Sequence, residues 1–254
     1  MTGKSNEIKV TCVTGAAGGL GRAISRGLIG AGFRVVGLDV SDEGLKDLAE
    51  RISADGHAGA FDPILVDLTD PDAIADAFAT IRARHGGLDG LVNNAGTCFM
   101  SDFPDITAAE LDRQMAVNFN SAFHCCQQAI KLMEGREGVR KIVNISSNGA
   151  YNFDVFDPPH YRASKAAMDT LTKDLARRYA RERVAVNSIA PAMTETPLFG
   201  VLSEEVLDRA ISAMPHGRAM QPEEIAAWVA FLMSAAGDVC SGNVIILNQG
   251  RDVR

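Results

Sequence analysis

Short, almost wholly apolar runs alternate with longer helical periodicities along nearly the whole chain, and that alternation allows few architectures. The strand-like runs are Val10–Thr14, Arg34–Leu38, Ala60–Val66, Gly90–Val92, Lys141–Ser146, Ala185–Ile189 and Asn243–Leu247. Short apolar runs of this kind suit parallel strands covered on both faces. The helical patterns between them are Leu20–Ala31, Asp42–Ser53, Pro71–His85, Ala108–Met133, His160–Arg181, Glu204–Met214 and Pro222–Met233. Pro71 and Pro222 fall where a helix start tolerates a missing N–H, with Thr69 or Asp70 and Gln221 as the adjoining caps. Thr107 and Glu110 have capping-box spacing.

No repeat, low-complexity tract or linker interrupts the pattern. The expectation is one domain over residues 1–254, an α/β doubly wound parallel sheet (a Rossmann fold) with helices on both faces. A hydrophobic content of 46% in 254 residues is enough for a substantial core. The net charge of −7 argues against nucleic acid. The basic cluster Arg177, Arg178, Arg181 and Arg183 reads as the solvated end of a helix. The start of the chain is polar, without a secretory pattern, and no run is long enough to cross a bilayer. The five cysteines lack metal-ligand spacing and the five histidines are scattered, so no metal site is expected, and reduced thiols in the cytoplasm are.

Thr14-Gly15-Ala16-Ala17-Gly18-Gly19-Leu20-Gly21 joins the first strand to the first helix. Glycines permit a tight turn and close approach of backbone to a pyrophosphate, and the helix start offers free N–H groups. Asp39 ends the second strand, where an acid accepts hydrogen bonds from both ribose hydroxyls of an adenosine and repels a 2′-phosphate. That favours NAD over NADP, with Arg22 and Arg34 as the residues able to reverse it. Ligands of such sheets bind at the carboxyl ends of the strands. Gly15, Asp39, Asp67, Asn93–Gly96, Ser146-Ser147 and Pro191–Thr196 all follow strands in that sense.

Tyr161 and Lys165 are four residues apart, one helical turn. A nearby ammonium favours a phenolate. Bringing a phenol from about 10 to about 7 takes roughly 4 kcal/mol. A tyrosine so activated exchanges a proton with a hydroxyl or carbonyl.

With Thr14, Gly15, Gly19 and Gly21, then Asn93-Asn94-Ala95-Gly96, then Asn118, then Tyr161 and Lys165, the whole chain resembles the short-chain dehydrogenase/reductase family in its branch of about 250 residues. The resemblance implies hydride transfer between NAD and a secondary alcohol or ketone. Tyr161 would be the acid/base, Lys165 would lower its pKa and bind the nicotinamide ribose, and Ser147 would hold the reacting oxygen. Asn118 would hold a helix kink and a proton-conducting water. Gly15, Gly19, Leu20, Gly21, Asp39, Asp67, Leu68, Asn94, Ala95, Gly96, Pro191, Thr194 and Thr196, with Tyr161 and Lys165, would bind the dinucleotide.

Three departures from the family pattern stand out: Ala192 replaces the usual glycine, the serine-to-tyrosine spacing is about one residue longer, and the tail reads Asn248-Gln249-Gly250-Arg251. The spacing leaves Ser147 favoured over Ser146. Substrate would meet Thr97–Ser101, Asn148–His160 and a lid at 193–216. Phe153 and Phe156 would form an apolar wall or a packed loop. His160, Arg162 and Arg218 would meet an anionic group or lie in solvent. The resemblance also implies a homo-oligomer, a tetramer or a dimer, through the two long helices. Met168, Leu171 and Leu175 would serve that interface or the monomer core. The alternatives are an NADH-dependent 3-oxoacyl thioester reductase and a non-catalytic NAD-sensing protein.

Overall fold

The computed structural model describes residues 8–153, 157–201 and 203–252. Seven parallel strands form one sheet: β1 (Val10–Thr14), β2 (Arg34–Asp39), β3 (Phe61–Leu65), β4 (Gly90–Asn93), β5 (Arg140–Ile145), β6 (Val184–Pro191) and β7 (Val244–Leu247). Their order across the sheet is β3-β2-β1-β4-β5-β6-β7. The connections after β1 run outward to β2 and β3, and the chain then returns to place β4 on the other side of β1. That reversal opens a crevice at the carboxyl ends of β1 and β4. β1 and β4 are wholly buried, whereas β3, an edge strand, carries Pro63, which lacks the N–H a central strand needs.

The helices are α1 (Gly19–Gly30), α2 (Asp42–Ala54), α3 (Pro71–His85), α4 (Ala108–Met115), α5 (Ser121–Met133), α6 (Pro159–Arg178), α7 (Glu204–Ser212) and α8 (Pro222–Met233). Residues of α1, α2 and α8, such as Ile24, Leu28, Leu45, Leu48 and Val229, cover one face of the sheet. Residues of α3, α5 and α6, such as Ile74, Phe78, Ala129, Leu132 and Leu175, cover the other. Full burial of such side chains contributes about 1.5–3 kcal/mol each. The sheet is therefore apolar on both sides, as its sequence requires.

The expected helix 108–133 is interrupted. A π-helical turn at Ala116–Asn120 separates α4 from α5, with buried Asn118 in it. The Asn118 amide turns away from its own helix. Its Nδ2 donates to the Thr97 carbonyl (2.9 Å) and the Ser164 hydroxyl (3.1 Å), and its Oδ1 accepts from the Thr97 N–H (2.8 Å). The kink expected at Asn118 is thus this insertion in the helical ladder. Asp70, rather than Thr69, caps α3, accepting from the Asp72 and Ala73 N–H groups. Thr107 caps α4, but the Glu110 carboxylate leaves the cap to accept from Ser101 (2.8 Å). Met168 and Leu175 are buried within this chain, and half-buried Leu171 packs against the core, so Met168 and Leu175 serve the monomer core.

Candidate active site

One cavity of 1310 Å³ opens along the carboxyl ends of the strands, across the crevice between β1 and β4. Every residue expected to bind the dinucleotide lines it: Gly15, Gly19, Leu20, Gly21, Asp39, Asp67, Leu68, Asn94, Ala95, Gly96, Tyr161, Lys165, Pro191, Thr194 and Thr196. Ser147 lines it as well. Asn118 does not. It stands behind Gly96, where a Cβ would lie 3.3 Å from Lys165 Nζ and 3.6 Å from Asn118 Oδ1.

The cradle at the end of β1 is built from backbone. Gly15 has φ +63°, and a Cβ there would come 2.9 Å from the Ala95 Cα. At Gly21 a Cβ would come 2.0 Å from the Gly15 carbonyl oxygen. Only glycine permits α1 to start this close to the turn. Thr14 and Asn94 fasten the two strand ends: Thr14 Oγ1 accepts from the Asn94 and Ala95 N–H groups, and Asn94 Nδ2 donates to the Thr14 and Gly15 carbonyls, all at 3.0 Å. The result is an open cradle beside the start of α1 that a side chain would fill, which fits a pyrophosphate. At the far side of the turn, Asp39 accepts from the Ala17 and Ser41 N–H groups, both at 2.9 Å. The Arg22 fork is spent on the Ala17 carbonyl (2.7 Å), the Gly44 carbonyl (3.1 Å) and Asp47 (2.5 Å). Asp67 accepts from the Thr69 N–H (2.9 Å) and hydroxyl (2.7 Å), which hold its carboxyl below the usual range.

At the other end of the cavity, α6 carries Tyr161 and Lys165, and the turn after β5 carries the serines. The two serines face different ways. Ser146 donates to buried Asp169 at 2.8 Å, whereas Ser147 is hydrogen-bonded to the Tyr161 hydroxyl and accepts from the Gly149 N–H at 3.0 Å. Lys165 Nζ donates to the Ile145 carbonyl (2.8 Å) and lies 5.9 Å from the Tyr161 ring centre. Asp169, one turn beyond Lys165, also accepts from Tyr151 at 2.8 Å. One carboxylate therefore fastens both flanks of the Ser147 turn to the helix that carries Tyr161 and Lys165.

The electrostatics correct one expectation. Burial pushes the Tyr161 phenol up, not down, and the Asp157 carboxylate adds to the rise, while the Ser147 hydrogen bond opposes it. Burial also lowers Lys165 to about 8, with Asp169 pulling the other way. Four residues of spacing thus bring the two groups to one end of the cavity, but desolvation is the largest influence on each in the protein alone.

The three residues weighed as anion contacts are otherwise engaged. His160 is buried with Nε2 3.2 Å from Glu110, and Arg218 makes a two-pronged pair with Glu224 at 2.8 Å. Arg162 donates to the Asp157 carbonyl (2.7 Å) and covers the ring of exposed Phe153. Phe156 lies outside the described residues. Asp157 and Arg251 line the cavity instead, and neither was singled out as a contact from the sequence. For Asp157 the signal was its place in the Asn148–His160 segment expected to meet substrate, and for Arg251 it was the unusual tail. Asp252 accepts from Asn148 (2.9 Å) and also bonds Asn152, so the tail docks on the serine turn.

A two-faced parallel sheet, a glycine cradle at the strand reversal and a Ser-Tyr-Lys group sharing its cavity define a nicotinamide-dinucleotide oxidoreductase. A family model described as Enoyl-(Acyl carrier protein) reductase matches residues 15–252. The "3-oxoacyl-[acyl-carrier-protein] reductase FabG" of Thermotoga maritima is 34% identical over 246 residues, 96% of this chain and 98% of that protein. A short-chain dehydrogenase/reductase from Brucella melitensis, titled glucose/ribitol dehydrogenase, superposes with a TM-score of 0.88 at 29% identity, covering 97% of each chain. The actinorhodin polyketide ketoreductase, solved with NADPH, does so with a TM-score of 0.90 at 29% identity, covering 96% of this chain and 97% of that one. The chain belongs to the short-chain dehydrogenase/reductase family.

Proposed function

We propose that this protein transfers a hydride between a secondary alcohol or ketone and NAD, with Tyr161 as the acid/base. The observation that carries the reading is the Ser147–Tyr161 hydrogen bond beside Lys165, in the same cavity as the glycine cradle. When bound, the nicotinamide ring supplies the hydride chemistry, and its positive charge in the oxidised form favours the phenolate. Tyr161 takes the hydroxyl proton during oxidation and returns it during reduction. Ser147 and the Tyr161 hydroxyl aim two hydrogen bonds at the oxygen where charge develops. Lys165 holds a positive charge beside Tyr161 and would bind the nicotinamide ribose. Asn118 acts at one remove, fixing the Thr97 backbone and the π turn.

Asp39 supports NAD over NADP. Its carboxylate, at the end of β2 beside the cradle, would repel a 2′-phosphate, and Arg22 is already committed to Asp47, Gly44 and Ala17. The actinorhodin ketoreductase was solved with NADPH, so the cofactor choice rests on Asp39. A second reading, reduction of a 3-oxoacyl thioester by NADH, is favoured by the name of the Thermotoga relative. Among the described residues no helix is long and apolar enough to cross a membrane. By its family resemblance we propose a cytoplasmic homo-oligomer.

The test is NADH formation from NAD across secondary alcohols, polyols, hydroxy acids and hydroxysteroids, with Tyr161→Phe in parallel. Turnover lost in the variant supports the reading. Turnover kept in the variant overturns the role of Tyr161, and NADH binding without turnover of any substrate leaves a sensor.

A further inference from the structure

Past Ser147 and Tyr161 the cavity walls are Cys98, Met100, Asp157, Met193, Phe199 and Arg251. Two of these carry opposite charge. A Cβ on Gly149 would lie 2.1 Å from Asp157 Oδ2 and 3.2 Å from Ser147 Oγ, so the carboxylate rests on the serine turn itself. Its charge acts on Tyr161. A substrate oxygen held between Ser147 and Tyr161 therefore has a carboxylate as its neighbour. Arg251 is held from behind: its Nε donates to Asp252 at 3.1 Å, its side chain is 11% exposed, and Asp252 is fastened to Asn148.

We propose that the substrate is a small polyol or its ketose, in which a hydroxyl next to the reacting carbon donates to Asp157 while Arg251 donates to a further oxygen. The inference rests on the hydride-transfer reading above and names its substrate class.

Burial raises the Asp157 carboxyl, and Arg162 and Arg251 draw it back. Asp157 is half-buried, and closing the remaining solvent off a carboxylate without supplying a donor is costly, so a ligand that fills this space without donating to Asp157 is penalised. The carbons flanking the ketone of a 3-oxoacyl thioester carry no hydroxyl and cannot satisfy it. A cationic ligand would meet Arg251 and an anionic one Asp157. These two charges on the cavity wall balance, leaving a donor and an acceptor side by side, which suits neutral vicinal hydroxyls. Oxidation moves a hydride from the reacting carbon to the oxidised dinucleotide and the hydroxyl proton to Tyr161. The neighbouring hydroxyl keeps its proton and only hydrogen-bonds.

The experiment compares kcat/KM for xylitol and ribitol with that for 2-butanol, and for acetoacetyl-CoA in the reverse direction, in the native protein, Asp157→Asn and Arg251→Met. The native protein should favour a polyol over 2-butanol by at least about tenfold, and each variant should collapse that ratio, chiefly through KM. Preference for 2-butanol or the thioester, or an equal loss on all substrates in both variants, overturns the proposal. Calorimetric titration of xylitol and ribitol into NADH-saturated protein separates this from a failure of the hydride-transfer reading. Binding lost in Asp157→Asn supports polyol recognition even where nothing is turned over, and no binding alongside turnover of other alcohols overturns the polyol alone. Thermal unfolding of both variants guards against misfolding, with either folded variant sufficient for the test.

Discussion

The two ends of the cavity are made of different material. The proposed dinucleotide end is mostly backbone and glycine: the Gly15 turn, the start of α1, the Thr14–Asn94 clasp, and the acids Asp39 and Asp67. The substrate end is side chain, gathered from the loops after β4 and β5, from the 193–201 segment and from the tail. At the first end a residue's identity follows from what the backbone forbids. At the second it follows from which distant segment folds over the serine turn. The first end therefore defines a family, while the second defines a substrate.

The strongest way to break this contrast is Tyr161→Phe. In the proposed mechanism it removes the proton carrier and leaves the cradle intact. Turnover should fall by about 10²–10⁴-fold, while NADH fluorescence titration shows binding close to native. Loss of binding as well would mean the two ends are not separable. Gly21→Ala probes the opposite end. Its new methyl would come 2.0 Å from the Gly15 carbonyl oxygen, so the turn must move. Overpacking of this kind costs about 1–3 kcal/mol. Melting temperature and NADH affinity should both drop, and a variant native in both would show that the cradle is looser than its contacts imply.

These two ends were unequally legible in the sequence. Strand-helix alternation placed all seven strands within a residue or two, because parallel strands buried on both faces admit little but apolar residues. Glycines needed for close approach, and Asp39 at a strand end, were readable for the same reason. The π turn at Ala116–Asn120 was foreshadowed only as a kink at Asn118, from the family resemblance, because no proline or glycine marks a break between Ala108 and Met133. The depression of the Tyr161 pKa was expected from spacing alone, but burial decides it, and spacing says nothing about burial. Asp157 and Arg251 are 94 residues apart in sequence (251 − 157), and no local pattern brings them to one wall. Spacing favoured Ser147 over Ser146, and direction separates them, Ser146 turning toward Asp169 and Ser147 toward Tyr161.

Asp39→Ala tests whether cofactor choice belongs to the backbone end. Asp39 accepts from Ala17 and Ser41, so its loss removes a negative charge from the edge of the cradle and frees two N–H groups. Juxtaposed like charges cost several kcal/mol. The NAD-over-NADP preference in kcat/KM should fall by about tenfold or more. An unchanged ratio would move the choice to another residue.

The smallest expected effect sharpens the contrast most, because Asp169 belongs to neither end yet fastens the catalytic groups together. It lies under the cavity floor, accepting from Ser146 and Tyr151, and it is the first of the charges holding Lys165 up against burial. The titratable groups acting on Lys165 are Asp169 from its own helix and Cys98 from the loop after β4. With Lys165 at about 8, its ammonium form is present below that pH and is lost as the pH rises through it. Asp169→Asn keeps the shape and removes the charge, so the Lys165 pKa should fall further. The alkaline limb of the kcat–pH profile should then move to lower pH, with a loss at neutral pH smaller than that of Tyr161→Phe. Tyr151→Phe, which removes one hydrogen bond and leaves the carboxylate, should lower kcat without moving the limb. A limb unmoved in Asp169→Asn would reduce Asp169 to packing, and would mean that Lys165 keeps its charge through the Ile145 carbonyl and the bound dinucleotide instead.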